Sequence, residues 1–462
     1  MKRPITPNDT IVAISTPIGE GGIGIIRLSG SAALSVADKI FKSSDGNLPS
    51  GFKGFTTHYG HIVDKTATVD EVILTVMRKP KSFTKEDVVE INCHGGIVPL
   101  KKVLEMVLLS GVRMAEPGEF TKRAFLNGRI DLAQAESVLD VIRSKTDTSL
   151  RSAISQLRGD FSESIKDIRS ELVDLLADVE ASIDFPEEET GVLSIKDIIS
   201  RVKKTAGDIQ SFIDSAQKGK ILTEGIRTVI CGRPNVGKSS LMNYLLREKR
   251  VIVSHIPGTT RDAIEEIINI DGIPLKIIDT AGISQRADTL TKEGIERSRL
   301  HIKSADLVLF LLDGSEPLNE NDRDIIEEIK DKKVIVVINK TDLPKRLENN
   351  AIKKALRDKK IIEISVVRKK NLKKLEDAIS DIVWGGHVTS DHTRLVTNVR
   401  HKALLIEAKD ALFMIIGSKG EMMPEFIALD LKEAIDRLGE ITGETIDGEL
   451  LDKIFSKFCI GK

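Results

Sequence analysis

The spacing of apolar residues changes three times along the chain, and each change predicts a different kind of layer. Up to about residue 118, short β-rich runs alternate with glycine turns. Residues 10–15, 24–28, 72–77 and 88–92 read as strands, and residues 32–41 and 100–110 as helices, a small α+β module. From Glu119 the period lengthens: Ile165, Ile168, Leu172, Leu175, Val179 and Ile183 recur every three or four residues, as on one face of a long amphipathic helix. Residues 131–155 read the same way. Pro186 and the acids Glu187–Glu189 end the long helix before a further helical segment at 194–217. Beyond Thr223, apolar runs at 227–231, 275–279, 306–313, 334–339 and 360–365 alternate with helical stretches, which suits a doubly wound α/β sheet. Helical periodicity returns at 403–416, 426–441 and 450–458. The expectation is a multidomain α+β and α/β chain: an N-terminal α+β domain over 1–118, a helical bundle over 119–222 that resumes at 382–462, and a doubly wound domain inserted at 223–381.

Composition adds limits. At 462 residues the chain has room for roughly three domains. Its formal net charge is -1, so it exerts no general pull on nucleic acid, and any RNA contact must be local or shared with a partner. The first residues lack the apolar stretch of a signal peptide, and the greasiest run, 307–312, is far too short to span a bilayer. Cys93, Cys231 and Cys459 are scattered, which argues against a disulfide framework or a cysteine-rich zinc site. A cytoplasmic protein with no membrane partner is expected.

The inserted domain carries the clearest chemistry. Gly232-Arg-Pro-Asn-Val-Gly237-Lys238-Ser239 follows a strand and opens a helix, the context of a phosphate-binding loop. Its backbone N–H groups and helix N-terminus would wrap phosphate oxygens, Lys238 would reach the β- and γ-phosphates, and the Ser239 hydroxyl would bind Mg²⁺. Asn339-Lys340-Thr341-Asp342 selects the base. Guanine offers N1–H and the 2-amino group as parallel donors that one carboxylate accepts together, whereas adenine has an acceptor at N1. Asn339 would brace the loop, and Ser365 would meet the base oxygen. Thr260 is the natural switch threonine for Mg²⁺ and γ-phosphate; Asp279, of Asp279-Thr280-Ala281-Gly282, approaches Mg²⁺ through water, with Gly282 free to swing toward the γ-phosphate. The candidate GTP contacts are Asn235, Val236, Gly237, Lys238, Ser239 and Ser240. To these are added Ser254, His255, Ile256, Pro257, Gly258, Thr259, Thr260, Asp279, Thr280, Ala281, Gly282, Asn339, Lys340, Asp342 and Ser365. Ile283 follows Gly282 where many small GTPases orient water with glutamine, so hydrolysis must be assisted from elsewhere. Arg261 reads equally as an internal arginine finger or as a partner of Asp262.

The flanks resemble one family, the tRNA modification GTPases called MnmE or TrmE. The likeness is carried by Asp9-Thr-Ile-Val-Ala, Gly21-Gly-Ile-Gly-Ile-Ile-Arg27-Leu-Ser-Gly, Phe83-Thr-Lys-Glu-Asp-Val-Val-Glu90, His94-Gly-Gly and Pro117-Gly-Glu-Phe-Thr-Lys-Arg-Ala-Phe-Leu-Asn127. Asp131-Leu-Ala-Gln-Ala-Glu136 and Phe455-Ser-Lys-Phe-Cys459-Ile-Gly-Lys462 extend it over essentially the whole chain. The resemblance implies a folate-binding, dimer-forming N-terminal domain, a discontinuous helical domain and an inserted G domain. It implies a homodimer that joins the flavoprotein MnmG in a heterotetramer. Together they would add an aminomethyl or carboxymethylaminomethyl group at C5 of a tRNA wobble uridine, using a tetrahydrofolate derivative in its 5-formyl or methylene form.

Carried onto matching positions, the folate contacts are Arg27, Glu90, Arg129 and Lys462; at the third the family has lysine, and a planar guanidinium is not a point charge. Cys459 matches the family's functional cysteine, with a small packed residue as the plainer reading. The resemblance also implies K⁺-stimulated hydrolysis when two G domains meet, with K⁺ held by Asn235, Ser254, Ile256 and Thr259; Asn235 could instead only brace its loop. The family's water-orienting glutamate falls on Thr291 here, which leaves Asp288, or Glu293, as the nearest catalytic acid. Two other classes remain beside this reading: a GTPase switch that scaffolds ribosome assembly, and a folate-dependent one-carbon enzyme that its G domain merely regulates.

Overall fold

A computed structural model describes residues 9–184, 194–249, 251, 266–278, 299–384, 395–418 and 422–462. The chain divides into two compact units: one joins Met1–Leu139 to Leu438–Lys462, and the other runs over Asp140–Arg437.

The first unit is built on a seven-stranded sheet. Its strands are β1 (Ile11–Ile14), β2 (Gly21–Ser29), β3 (Phe41–Ser43), β4 (Thr56–Asp64), β5 (Ala67–Met77), β6 (Val88–Gly95) and β7 (Arg113–Met114), in spatial order β3-β4-β5-β6-β2-β1-β7. Helices Ala33–Ile40 and Ile97–Leu109 bury one face of it against Val12, Ile26, Leu28, Leu74 and Ile91. The opposite alternation places Arg27 directly across from Glu90, where β2 and β6 pair antiparallel. β4 escapes a sequence reading because Thr-Thr-His-Tyr-Gly-His carries almost no apolar signal. Gly60 explains part of that: a Cβ there would lie 2.2 Å from the Lys42 carbonyl oxygen, so β3 can approach only a glycine.

Residues 438–462 form part of this first compact unit. Helix Gly448–Phe455 packs Leu451, Ile454 and Phe455, together with Phe458, against Ala124, Ile130 and Leu132. Gly461 has φ +93°, and a Cβ on it would stand 2.5 Å from the Ile14 oxygen. Only glycine lets the segment lie so close to the end of β1.

The second unit contains a six-stranded sheet in the order β13-β12-β11-β8-β10-β9. The strands are β8 (Ile226–Cys231), β9 (Glu266–Ile270), β10 (Ile273–Ile278), β11 (Leu307–Asp313), β12 (Val334–Asn339) and β13 (Lys360–Glu363). All pair in parallel except β9, which forms a hairpin with β10. β11 and β12 are buried throughout, as expected of central strands covered on both faces. β9 is absent from the sequence reading, although Asp271-Gly272, with φ +48° and +86°, is a two-residue hairpin signal.

The helical part of this unit includes Asp147–Arg158, Asp160–Asp184, Ile195–Glu224 and Val399–Gly417. The long predicted helix buries Ile165, Ile168, Leu172, Leu175 and Val179 as its spacing requires. The stretch expected as one helix over 131–155 is broken. Thr146 accepts from Ser149 N while the Ser149 side chain accepts from the Thr146 backbone, a capping box that starts a new helix at Asp147. Thr146 Oγ1 also donates to the Gly272 oxygen at 2.8 Å, and a Cβ on Gly272 would meet Thr148 Oγ1 at 2.2 Å. The β9–β10 turn therefore seats on that helix start.

Candidate functional site

The candidate nucleotide site assembles where β8 and β12 end. After β8 the chain turns through Gly232, Asn235 and Gly237, at φ +145°, +64° and +102°, before helix Lys238–Lys249. Each glycine is forced. A Cβ on Gly232 would lie 2.3 Å from the Leu311 oxygen, and one on Gly237 would lie 2.3 Å from Asn339 Nδ2. Lys238 Nζ donates to the carbonyls of Gly232 and Arg233, both at 2.8 Å, across the mouth of the loop. Arg233 in turn pairs with Glu316 at 2.5 Å.

Asn339 ties the base-reading loop to the phosphate loop. Its Nδ2 donates to the Val236 oxygen at 2.9 Å, and its Oδ1 accepts from Val366 N at 3.2 Å. It is only 3 % exposed, so both bonds are made out of water, where they are hard to replace. Lys340, at φ +61°, pairs through Nζ with Asp313 at 2.6 Å. Burial alone would raise the Asp313 carboxyl, but bonds from Lys340 and Ser315 outweigh it and hold the group below the ordinary carboxylate range. Asp313 is a positioning residue that the sequence reading missed; its signal was an acid closing a wholly apolar strand.

Asp342 is exposed. Ser365 Oγ donates to Asp342 Oδ1 at 2.6 Å, and that bond lowers the Asp342 pKa. Ser365 Oγ also accepts from Arg368 N at 3.1 Å. The described candidates Asn235 to Ser240, Asn339, Lys340, Asp342 and Ser365 thus fall in three adjoining loops of one sheet edge. Ser254, His255, Ile256, Pro257, Gly258, Thr259, Thr260, Asp279, Thr280, Ala281, Gly282, Asp288 and Thr291 lie outside the described residues.

A second site occupies the first unit. A cavity of about 280 Å³ is lined by Arg27, Glu90, Phe83, Phe120, Thr84 and Lys462, among others. Arg27 Nε donates to Glu90 Oε1 at 2.7 Å, and its Nη1 donates to the Gly461 oxygen at 3.2 Å. Its guanidinium lies 5.7 Å from the centre of the Phe120 ring. Phe120 N donates to the Lys462 oxygen at 3.2 Å, which fixes the final residues along the cavity wall. Arg129 sits 4.8 Å over the Phe83 ring but is not among the residues that line the cavity with Arg27, Glu90 and Lys462. Cys459 is exposed, which overturns the reading of it as a small packed residue. Among the described residues no helix is long and apolar enough to cross a membrane.

Beneath the cavity, Arg123 is buried among three carboxylates, Asp9, Glu86 and Glu119, at 2.5, 3.1 and 3.0 Å. Ser29 Oγ donates to Glu86 and meets Thr84 Oγ1 at 2.7 Å, so the network reaches the loop that carries Phe83 and Thr84.

Two family models match in succession: the N-terminus of the GTP-binding protein TrmE over residues 10–129, and the MnmE helical domain over residues 132–459. The tRNA modification GTPase MnmE of Alkaliphilus oremlandii is 49% identical over 460 residues, 98% of this chain and 99% of that protein. Those of Clostridioides difficile and Geobacillus kaustophilus are 48% and 46% identical, each over at least 98% of this chain and 99% of their own length. With both models matched in order and relatives aligned over nearly their whole lengths, the chain belongs to the MnmE (TrmE) family of tRNA modification GTPases.

Proposed function

We propose that this GTPase is the nucleotide-hydrolysing subunit of an enzyme that modifies C5 of the tRNA wobble uridine. It would act as a cytoplasmic homodimer with the flavoprotein MnmG, adding an aminomethyl or carboxymethylaminomethyl group. The supporting observation is the convergence of Arg27, Glu90 and Lys462 on one aromatic-walled cavity. Apolar walls with a few charged groups are the usual chemistry of a small-molecule site. A carboxylate offers about four acceptor positions, so the Arg27 bond to Glu90 leaves capacity for the donor-rich edge of a pterin. Lys462, Arg27 and Arg129 suit the carboxylates of a folate's glutamate tail. When bound there, a tetrahydrofolate derivative would supply the one-carbon unit.

In the other unit, Lys238 would exchange its two carbonyl partners for β- and γ-phosphate oxygens, and Ser239 would hold Mg²⁺ with Thr260. Asp342 would accept from guanine, held in place by Ser365. Asn235 would hold K⁺ with Ser254, Ile256 and Thr259, placing positive charge where it develops oppositely on the transferring phosphate as two G domains close. Asp288 would replace the missing glutamate as the acid that orients water, and Cys459, being exposed, is available for chemistry.

Two measurements test these parts separately. GTP hydrolysis in matched KCl and NaCl should be strongly faster in K⁺, and Asp288→Ala should abolish that advantage; equal slow rates in both salts would remove the K⁺ mechanism. Calorimetry with 5-formyltetrahydrofolate should show binding that Glu90→Ala weakens at least tenfold. No heat with the wild-type protein would remove the folate assignment and leave the nucleotide site untouched.

A further inference from the structure

Strands β11, β12 and β13 enter their sheet side by side, and lysines stand at each entry. Lys303 lies shortly before β11, Lys332 and Lys333 precede β12, and Lys359 and Lys360 meet at the start of β13. Parallel pairing of Val308 with Val334 and of Ile335 with Lys360 brings the three entries level. Neighbouring strands are about 4.8 Å apart, so the row is compact. The side chains confirm the adjacency: Lys332 Nζ donates to the Lys303 oxygen at 2.5 Å, and Lys359 Nζ to the Lys332 oxygen at 2.7 Å. Each ammonium is held against the backbone of the next lysine. Helix Asn349–Ala355 and the turn after it add Lys353, Lys354 and Arg357, all exposed.

Carboxylates do not neutralise this ridge. Asp381 takes Lys360 at 2.7 Å, Asp306 takes Arg227, and Glu327 takes Lys330. Among the described residues, Lys303, Lys332, Lys333, Lys353, Lys354, Arg357 and Lys359 have no salt-bridge partner. Asp331 and Asp358 are the acids interleaved with them in sequence. The chain as a whole has net charge -1, so the surplus is local.

Edge strands often carry lysine to prevent sheet-to-sheet pairing, which accounts for Lys360 on β13. It does not account for Lys303, Lys332 and Lys333, which open the interior strands β11 and β12. A protein interface would want exposed aromatic or aliphatic anchors at its centre. Apart from Leu300, three residues before Lys303, no large apolar side chain is exposed over residues 299–303, 330–333 or 352–363. A row of close cations without carboxylate partners, and with a single exposed apolar neighbour, fits a phosphodiester backbone. The base-reading loop follows the opposite end of β12 and the phosphate-binding loop the same end of β8, which pairs parallel with β11, roughly 20 Å away at about 3.3 Å per residue, so both sites can be filled together.

We propose that this lysine ridge of the nucleotide domain holds the phosphate backbone of tRNA, without reading sequence. The proposal rests on the tRNA-modifying role, and one titration separates the two. Fluorescence anisotropy of labelled, unmodified tRNA is followed with the full-length protein and GDP over a series of KCl concentrations. The variants are Lys333→Glu/Lys353→Glu/Lys354→Glu and the milder Lys333→Gln/Lys353→Gln/Lys354→Gln, which avoid the lysines that bond backbone. Each lost phosphate contact lowers the slope of log affinity against log salt by about 0.7–0.9, so the glutamate triple should lose about 2–3 and bind at least roughly tenfold more weakly near 50 mM salt. The glutamine triple should lower the slope similarly and weaken binding by a smaller amount, with GDP affinity unchanged in both. Wild-type slope and affinity in both variants would overturn the ridge while leaving the tRNA role standing, even if an acidic protein bound them less well. A wild-type protein with no tRNA affinity at low salt would overturn both.

Discussion

Replacing Asn339 by alanine tests whether the base-reading loop and the phosphate loop act as one body. The substitution deletes two bonds, Nδ2 to the Val236 oxygen at 2.9 Å and Val366 N to Oδ1 at 3.2 Å. Asn339 is 3 % exposed, and the Val236 side chain is 1 % exposed. A buried polar group left without a partner costs about 1–3 kcal/mol, less where water can enter. Val366 is half-buried and can recover a water, so its share falls at the low end; Val236 faces the full penalty. A total of about 2–4 kcal/mol follows. Part of it is relieved by letting the two loops separate, and that part reappears as lost nucleotide affinity. If half is relieved in this way, GDP binding weakens roughly 5- to 30-fold, since about 1.4 kcal/mol is a factor of ten. Titration with a fluorescent GDP analogue, paired with thermal denaturation, reads both portions. A loss of melting temperature with GDP affinity within twofold of wild type would refute the coupling and reduce Asn339 to a fold-stabilising residue.

Asp342→Asn replaces one of two acceptors with a donor opposite guanine. GDP affinity should fall at least about 100-fold, as sites built for paired donors reject the mismatch strongly, and thermal stability should hold because Asp342 is exposed; unchanged GDP binding would contradict the base assignment. Gly461→Ala forces a Cβ to 2.5 Å from the Ile14 oxygen at φ +93°, so residues 459–462 should lift off, with faster amide exchange at Phe120 and loss of the Arg27–Gly461 bond. Wild-type exchange there would disprove the constraint. Asp9 and Glu119 are held below their ordinary pKa values: burial opposes this, and bonds from Arg113 and Arg123 prevail. A depressed folded pKa gives stability that is complete above the unfolded value near pH 4 and is lost as pH falls through the folded value. The first unit should therefore unfold progressively below about pH 4. Arg123→Met should lower stability by about 3–5 kcal/mol at neutral pH and flatten that acid limb, as monitored by thermal melts across pH.

What the sequence made legible was whatever depends on short spacing. Gly232 to Ser239 and Asn339 to Asp342 carry their geometry within eight residues, and the long helix over Ile165 to Val179 declares itself by period. Direct pairings between distant residues stayed hidden, even where a resemblance named both members. Arg27 and Glu90 are 63 residues apart and become a pair only through the β2–β6 register. Asp313 gains meaning from Lys340 on the neighbouring strand. The break at Thr146 was local, yet an apolar pattern continuing on both sides masked a capping signal. Residues 438–462 illustrate the same limit: their helical period is genuine, but period does not say that Leu451, Ile454 and Phe455 pack on Ala124, Ile130 and Leu132.

That last segment sets an order of events during synthesis. The wall of the Arg27–Glu90 cavity that contains Lys462 emerges from the ribosome after the entire second unit, about 350 residues later than the last strand of the sheet it completes. At ordinary elongation rates this is a wait of tens of seconds, and domains generally fold as they appear. The sheet of β1 to β7 must therefore stand through that interval with Ala124, Ile130 and Leu132 uncovered by Leu451 and Phe455. A molecule whose synthesis stops before these residues can carry the strands of the second unit and still lack a finished cavity, so occupancy of the cavity reports that residues 438–462 have been added.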